Sequence, residues 1–195
     1  MELWHAWTCP YSQRVRIALA EKGMTVEEHV VDLASKPAAL LELNPAGGVP
    51  VLIVDGVAIP DSNVILQYLE DLPGGPSLLP TDPLGRARTR LLYDRITAGL
   101  GPHIPKLLRG TEEEKERARL AIVSTLTALE RDVPEDGFLA GAYSIADIAL
   151  APFVAKLPPA LRPAALGLQR LASWEALVLS RTCVAAVVGG RSVAA

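Results

Sequence analysis

The sequence predicts two domains of different class: a small α/β domain over residues 1–74 and an all-helical domain over residues 86–195. Three observations carry this. Short strand-like segments alternate with amphipathic runs as far as Leu72, in the order β-α-β-α-β-β-α. The stretch PGGPSLLPTDPLG then gathers most of the local breakers, and residues 75–85 read as a linker. Beyond it no strand pattern survives.

Residues 3–7 are short and aromatic-rich and predict a strand. Residues 10–22 predict a helix: Val15, Ala18 and Leu19, with Ile17 beside them, form an apolar face, and Gly23 stops it. Residues 26–33 alternate loosely and predict a second strand. Residues 37–43 predict a short helix ended by Asn44-Pro45. Residues 51–54 and 57–59 flank Asp55-Gly56, a hairpin-turn dipeptide, and predict paired strands. Residues 62–72 predict a helix with Val64, Ile65, Leu66 and Leu69 apolar.

In the second domain, residues 86–108 predict a long helix bent near Gly99–Pro102. Residues 111–132 predict another, with Thr111 as N-cap and Glu112, Glu113 and Glu114 favourable in its first turn. Residues 144–156 predict a third, bent at Pro152. Ser144 caps it, and Asp147 three residues on completes a capping box. Tyr143 and Ile148 are spaced for a hydrophobic staple across that cap. Residues 172–188 predict a fourth helical region, broken in the middle.

Half of the 195 residues are hydrophobic and 21% are charged, enough for a packed core. The net charge of −3 argues against nucleic-acid binding through bulk charge. No apolar run is long enough to span a bilayer. The first residues, MELWHAW, lack the basic and apolar regions of a signal peptide, so the expected compartment is the cytoplasm. The two cysteines, Cys9 and Cys183, lie nearly a chain length apart, and the three histidines are scattered. Neither a metal site nor a disulfide is expected in that reducing compartment.

The chemistry concentrates in WTCPYSQRVRIALAEKG. Proline is favoured at the first helical position, so Cys9-Pro10 reads as a helix start with Cys9 at the cap. Its sulfur would face the first-turn amides, where the helix dipole favours an anion. Cysteine thiols at helix starts titrate at about 3.5 to 7.5, against about 8.5 when free. Arg14 and Arg16 either add positive potential or face water. Ser12 stands where a C-x-x-C motif has its resolving thiol, so chemistry at Cys9 would stop at a mixed disulfide or thioether without an outside thiol. A reactive thiol and a small buried hydrophobe both remain open for Cys9 from C-P-x-S alone. Cys183, in TCVAAVV, reads as a buried structural thiol.

In NPAGGVPVLIVDGVAIPDSNVILQYLE, a cis bond at Val49-Pro50 would expose the Val49 backbone to a ligand running alongside as an added strand. Ser62 fits as the cap of the next helix. A ligand carboxylate could use that helix's free amides, and Asp61 could meet a ligand ammonium. A plain helix cap is the alternative for this pair.

Taken together, TCPYSQRVRIALAEKG, SKP at Ser35 to Pro37, NPAGGVPVL, PDSNVILQYLE, the LLPTDP linker and GAYSIADIAL resemble the cytosolic glutathione transferases over nearly the whole chain. The resemblance implies a thioredoxin-like first domain, an all-helical second one, and a role in detoxification. Cys9 matches the catalytic position, a cysteine in the omega-like, lambda-like and dehydroascorbate-reductase-like classes and a serine in the tau and zeta classes. Lys36 matches a lysine contacting the glycyl end of glutathione. Val49 matches the residue before the cis-proline, Pro50, and its backbone pairs with the cysteinyl part. Asp61 and Ser62 match the pair that holds the γ-glutamyl group. Tyr11 is a pocket wall, and Ser12 stands behind the thiol or donates to it.

A cysteine at this position implies glutathione-dependent thiol transfer or reduction more than conjugation. The implied partners are glutathione and a small hydrophobic or disulfide substrate, in a metal-free homodimer. The second substrate is expected between the domains, where Tyr93, Ile96, His103 or Trp174 either contributes or is a core or surface side chain, with Trp174 read as packing. RVRIAL also suits zeta-like isomerases, so a glutathione-dependent isomerase or dehalogenase is one alternative. A non-catalytic partner-binding protein on the same fold is the other.

Overall fold

The computed structural model describes residues 1–190; the end of the predicted helical domain, residues 191–195, lies outside them. The order of elements is β1 (Glu2–His5), α1 (Pro10–Glu21), β2 (Glu27–Val30), α2 (Ala38–Leu43), β3 (Val51–Val54), β4 (Val57–Ile59) and α3 (Ser62–Asp71). Helices α4 (Pro83–Leu100), α5 (Ile104–Arg109), α6 (Glu112–Glu130), α7 (Ile145–Ala155), α8 (Gln169–Leu179) and α9 (Thr182–Val188) follow. Two compact units result: Met1–Ser77 with residues 185–190, and Leu78–Val184.

The first unit is a thioredoxin-like layer. Its four strands run in the order β2-β1-β3-β4, with β1 parallel to β2 and antiparallel to β3. The β3–β4 hairpin turns at Asp55 (φ 49°) and Gly56 (φ 79°), the two left-handed residues that a tight hairpin of the sheet's own twist requires. Leu3, Val51 and Leu52 are fully buried on the sheet, and Val15, Ile17 and Ala18 of α1 are buried with them. Val31, Leu40 and Val51 form a cluster against which Trp4, Leu43, Val49 and Ala58 pack, so the loop before β3 is anchored in the core.

In the second unit, α7 is buried from Ile145 through Val154. Its capping box is complete: Ser144 N–H donates to Asp147 Oδ2 (2.8 Å) and Ala146 N–H to Ser144 Oγ (3.3 Å). Asp147 also accepts from Leu139 N–H (2.9 Å) and Trp174 Nε1 (2.8 Å). Burial holds its carboxyl above the usual carboxylate range, against these three donors and the Ser144 hydroxyl, which donates to Oδ2 at 3.1 Å. The Thr111 cap of α6 is likewise reciprocal, with Glu114 N–H on Thr111 Oγ1 and Thr111 N–H on Glu114 Oε2.

Several elements depart from expectation. Helix α4 begins at Pro83, inside the predicted linker, because Asp82 caps it through Gly85 N–H (2.7 Å) and Pro83 takes the first helical position. The expected single helix over residues 86–108 is two, since Gly101-Pro102 ends α4 rather than bending it. Helix α8 starts three residues early because the Glu130 carboxylate accepts from Arg170 and Leu171 N–H, both at 2.9 Å. Strand β1 ends at His5, two residues short, and β2 covers only the middle of its predicted range. Among the described residues no single helix is long and apolar enough to cross a membrane. Helices α8 and α9 reach that length only together, across a 92° bend.

Candidate functional site

Cys9 is the N-cap of α1, with extended backbone (φ −79°, ψ 118°) and Pro10 behind it. The thiol is half-buried and does not cap the amides as expected. Its Sγ instead lies 3.6 Å from the Val49 carbonyl oxygen, with the thiol as donor. A thiol can donate to a carbonyl, whereas the first-turn amides are themselves donors. A thiolate only accepts and would turn to the amides.

The loop that carries Cys9 is held from α1. Ala6 N–H donates to Ser12 Oγ (3.3 Å), and Cys9 N–H donates to Ala6 O (3.1 Å). Ser12 is fully buried beneath the loop, and its oxygen serves the Ala6 amide. Gln13 Nε2 donates to Trp7 O at 2.9 Å. Tyr11 is half-buried, with the Arg14 guanidinium 5.1 Å from its ring centre.

Arg14 and Arg16 do not face water. Both are buried, and Arg16 stacks on Trp7 (4.1 Å) while its Nε donates to Glu28 Oε1 (3.1 Å). His5 is sealed into the same cluster, edge-on to Trp7, with Glu28 Oε1 3.6 Å from Nε2. Neither ring nitrogen has a hydrogen-bond partner among the described residues. Burial first, then Arg16, holds the imidazole down at about 4, with Glu28 opposing.

The Val49-Pro50 bond is cis. Among the described residues the Val49 N–H meets no acceptor, while its carbonyl faces Cys9. The turn before it is pinned by Asn44, which sequence reasoning treated only as a helix terminator. Asn44 is buried, its Nδ2 donates to Gly48 O (3.0 Å) and its Oδ1 accepts from Ala46 N–H (3.2 Å). Its place directly before Pro45 in a turn was the available signal. Gly47 has φ +63°, and the exposed Lys36 lies across the face where a side chain would stand: a methyl group there would be 3.0 Å from Nζ.

Asp61, not Ser62, caps α3. Its Oδ1 accepts from Asn63 N–H (2.8 Å) and Val64 N–H (3.0 Å), so those two amides are engaged within the chain. Ser62 is the first helical residue and is buried. Helix α3 packs on α1. Thus Cys9, Val49 and Pro50 come together, Lys36 lies along the same turn, and Asp61 holds its own helix start. Tyr93, Ile96 and Trp174 are core side chains of the second unit, and Cys183 is half-buried rather than buried.

The chain thus carries a helix-start cysteine against the residue before a cis-proline on a thioredoxin-like sheet, and a second, helical unit. The family model for the glutathione S-transferase N-terminal domain matches residues 8–72. A stringent starvation protein A homolog of Coxiella burnetii is 35% identical over 76% of this chain and 71% of its own length. A probable maleylacetoacetate isomerase of Caenorhabditis elegans is 37% identical over 74% and 70%. The crystal structure of rice GST1 in complex with glutathione superposes with a TM-score of 0.83 at 32% identity, covering 94% of this chain and 88% of that one. The chain belongs to the glutathione S-transferase family, an enzyme family with transferase and isomerase members.

Proposed function

We propose that this protein is a cysteine-type glutathione transferase whose Cys9 exchanges thiols with glutathione-linked disulfides in the cytoplasm. The observation that carries the reading is the Cys9 thiol at the cap of α1, directed at the backbone of Val49. The Cys9 thiolate attacks the glutathionyl sulfur of a mixed disulfide. A Cys9–glutathione disulfide forms, the substrate's S–S bond breaks, and the substrate thiolate leaves and takes a proton from solvent. The thiolate of a second glutathione attacks the glutathionyl sulfur, forming oxidised glutathione and returning the Cys9 thiolate. The second thiol comes from outside because Ser12 stands where a resolving cysteine would, and its oxygen accepts from the Ala6 amide.

The binding roles follow from the groups each residue offers. The open N–H of Val49, before Pro50, pairs with the peptide backbone of the cysteinyl part. Lys36 offers an ammonium to the glycyl carboxylate. The Asp61 carboxylate takes the γ-glutamyl ammonium, and Ser62 holds the γ-glutamyl carboxylate. Tyr11 lines the pocket beside the thiol. A small hydrophobic or disulfide second substrate and a homodimer complete the reading.

The test is activity. Cys9→Ala abolishes disulfide exchange, whereas Cys9→Ser shifts residual activity towards conjugation, because a hydroxyl only stabilises the thiolate of bound glutathione. Unchanged thiol transfer in Cys9→Ala sinks the assignment. A glutathione-dependent isomerase is the second reading, supported by the 37% identity to the probable maleylacetoacetate isomerase. It predicts turnover of an unsaturated diacid that survives Cys9→Ala.

A further inference from the structure

The loop from Ala6 to Cys9 is clasped by two consecutive side chains of α1, and they are not equivalent. Ser12 makes one local bond, to the Ala6 amide. Gln13 is 4% exposed; its side chain makes two, beside the helical bond of its backbone. Its backbone N–H donates to Cys9 O at 2.9 Å. Its side-chain Nε2 donates to Trp7 O at 2.9 Å and to Val187 O, in α9, at 3.4 Å. Residue 13 thus holds the chain on both sides of Thr8, and the same amide reaches a helix 174 residues downstream.

We propose that Gln13 is a positioning residue for Cys9, and that the Val187 carbonyl of α9 is what holds Gln13 in place. The inference rests on the reading of Cys9 as the nucleophile. A glutamine amide has two N–H groups, and here each has a carbonyl to bond. With both engaged, the side chain is locked in one rotamer and the Trp7 carbonyl is fixed in space. Cys9, two residues on and bonded through its own carbonyl to Gln13 N–H, inherits that position. With one partner removed, the amide swings, and the thiol is no longer held in line with the start of α1. Displacements of this kind weigh heavily on reaction rates, since a shift of about 1 Å at a reacting atom slows chemistry by up to roughly a hundredfold.

The sequence gives a reason to look here. Gln13 stands four residues before Ile17 and so shares the buried face of α1 with it. A polar side chain on that face needs a partner, and this one has two carbonyls.

The test is Gln13→Met in the full chain, similar in length and without donors. Iodoacetamide is the first probe, with alkylation at Cys9 and Cys183 followed separately by peptide mass spectrometry. Oxidised glutathione is the second. The expected result is alkylation of Cys9 slowed about tenfold with Cys183 unchanged, and kcat reduced at unchanged KM for glutathione. General loosening of the structure gives a different signature, because it exposes both thiols and speeds both reactions; that result overturns the proposal. So does a Cys9 rate equal to wild type. If Gln13→Met does not fold, Gln13→Asn serves: one methylene shorter, it keeps the amide but cannot span both carbonyls. A slowed Cys9 in that variant supports the proposal and an unchanged one overturns it. Failure here is distinct from failure of the nucleophile reading, in which wild-type Cys9 itself takes up no glutathione and both fall together.

Discussion

The Cys9 Sγ and the Val49 carbonyl oxygen are 3.6 Å apart, joining residues 40 positions distant in sequence. This contact couples the start of α1 to the turn before β3. On the proposed reading of Cys9 as nucleophile, the residues that shape these two loops act on its chemistry without touching the sulfur.

Asn44 shapes the second loop. Asn44→Ala leaves the Gly48 carbonyl and the Ala46 N–H without their side-chain partners. The expected loss of stability is about 1–3 kcal/mol, seen as a lower denaturant midpoint at unchanged slope. Glutathione affinity falls with it, because Val49 stands next to Gly48. Full affinity in a folded Asn44→Ala variant would show that the turn does not depend on this side chain.

Gly47 tests the Lys36 contact. Alanine there meets a left-handed φ of +63° and stands 3.0 Å from Lys36 Nζ and 3.1 Å from Leu41 Cδ2. The expected strain is roughly 1–2 kcal/mol, and Lys36 is pushed off the turn. Glutathione titration should show a raised Kd for both Gly47→Ala and Lys36→Ala. The double variant should be little weaker than either alone, because both remove one interaction. Additive losses would separate the two residues.

His5 makes stability pH-dependent. Its imidazole is neutral and buried, and its pKa of about 4 lies below the unfolded value of 6.5. A depressed pKa of this kind contributes stability that is complete above 6.5 and lost as pH falls through about 4. The group facing His5 from β2 is Glu28, and from α1 it is Arg16. Between pH 7 and 4 the contribution lost is about 3 kcal/mol. His5→Leu removes this titration, so its urea midpoint should fall less steeply with acid than that of wild type. Equal slopes would place the acid sensitivity elsewhere.

Much of this was legible because local rules and tertiary structure agreed. The Ser144–Asp147 capping box, the Thr111 cap and the Asp55-Gly56 hairpin are encoded by neighbours in sequence, and each formed as read. Asp82-Pro83 was misjudged because a cap followed by proline reads equally as a helix start and as linker punctuation. Asp61 and Ser62 are both good caps, and local pattern could not choose between adjacent candidates. Arg16 carries charge, so its burial depends on Trp7 and Glu28, which only the fold brings to it. The cis form of Val49-Pro50 and the double role of Gln13 likewise depend on distant partners. The residues of the candidate site are named by local motifs, whereas the bonds that orient them, such as those of Asn44 and Gln13, depend on the fold.

The most direct measurement is the site of glutathione attachment. Wild-type protein is incubated with oxidised glutathione, its intact mass is recorded, and the modified peptide is mapped. The account predicts one glutathionyl group, on Cys9 and not on Cys183, removed by excess reduced glutathione and absent in Cys9→Ser. An unmodified Cys9 in a folded protein that binds no glutathione would contradict the account and favour the partner-binding alternative on the same fold.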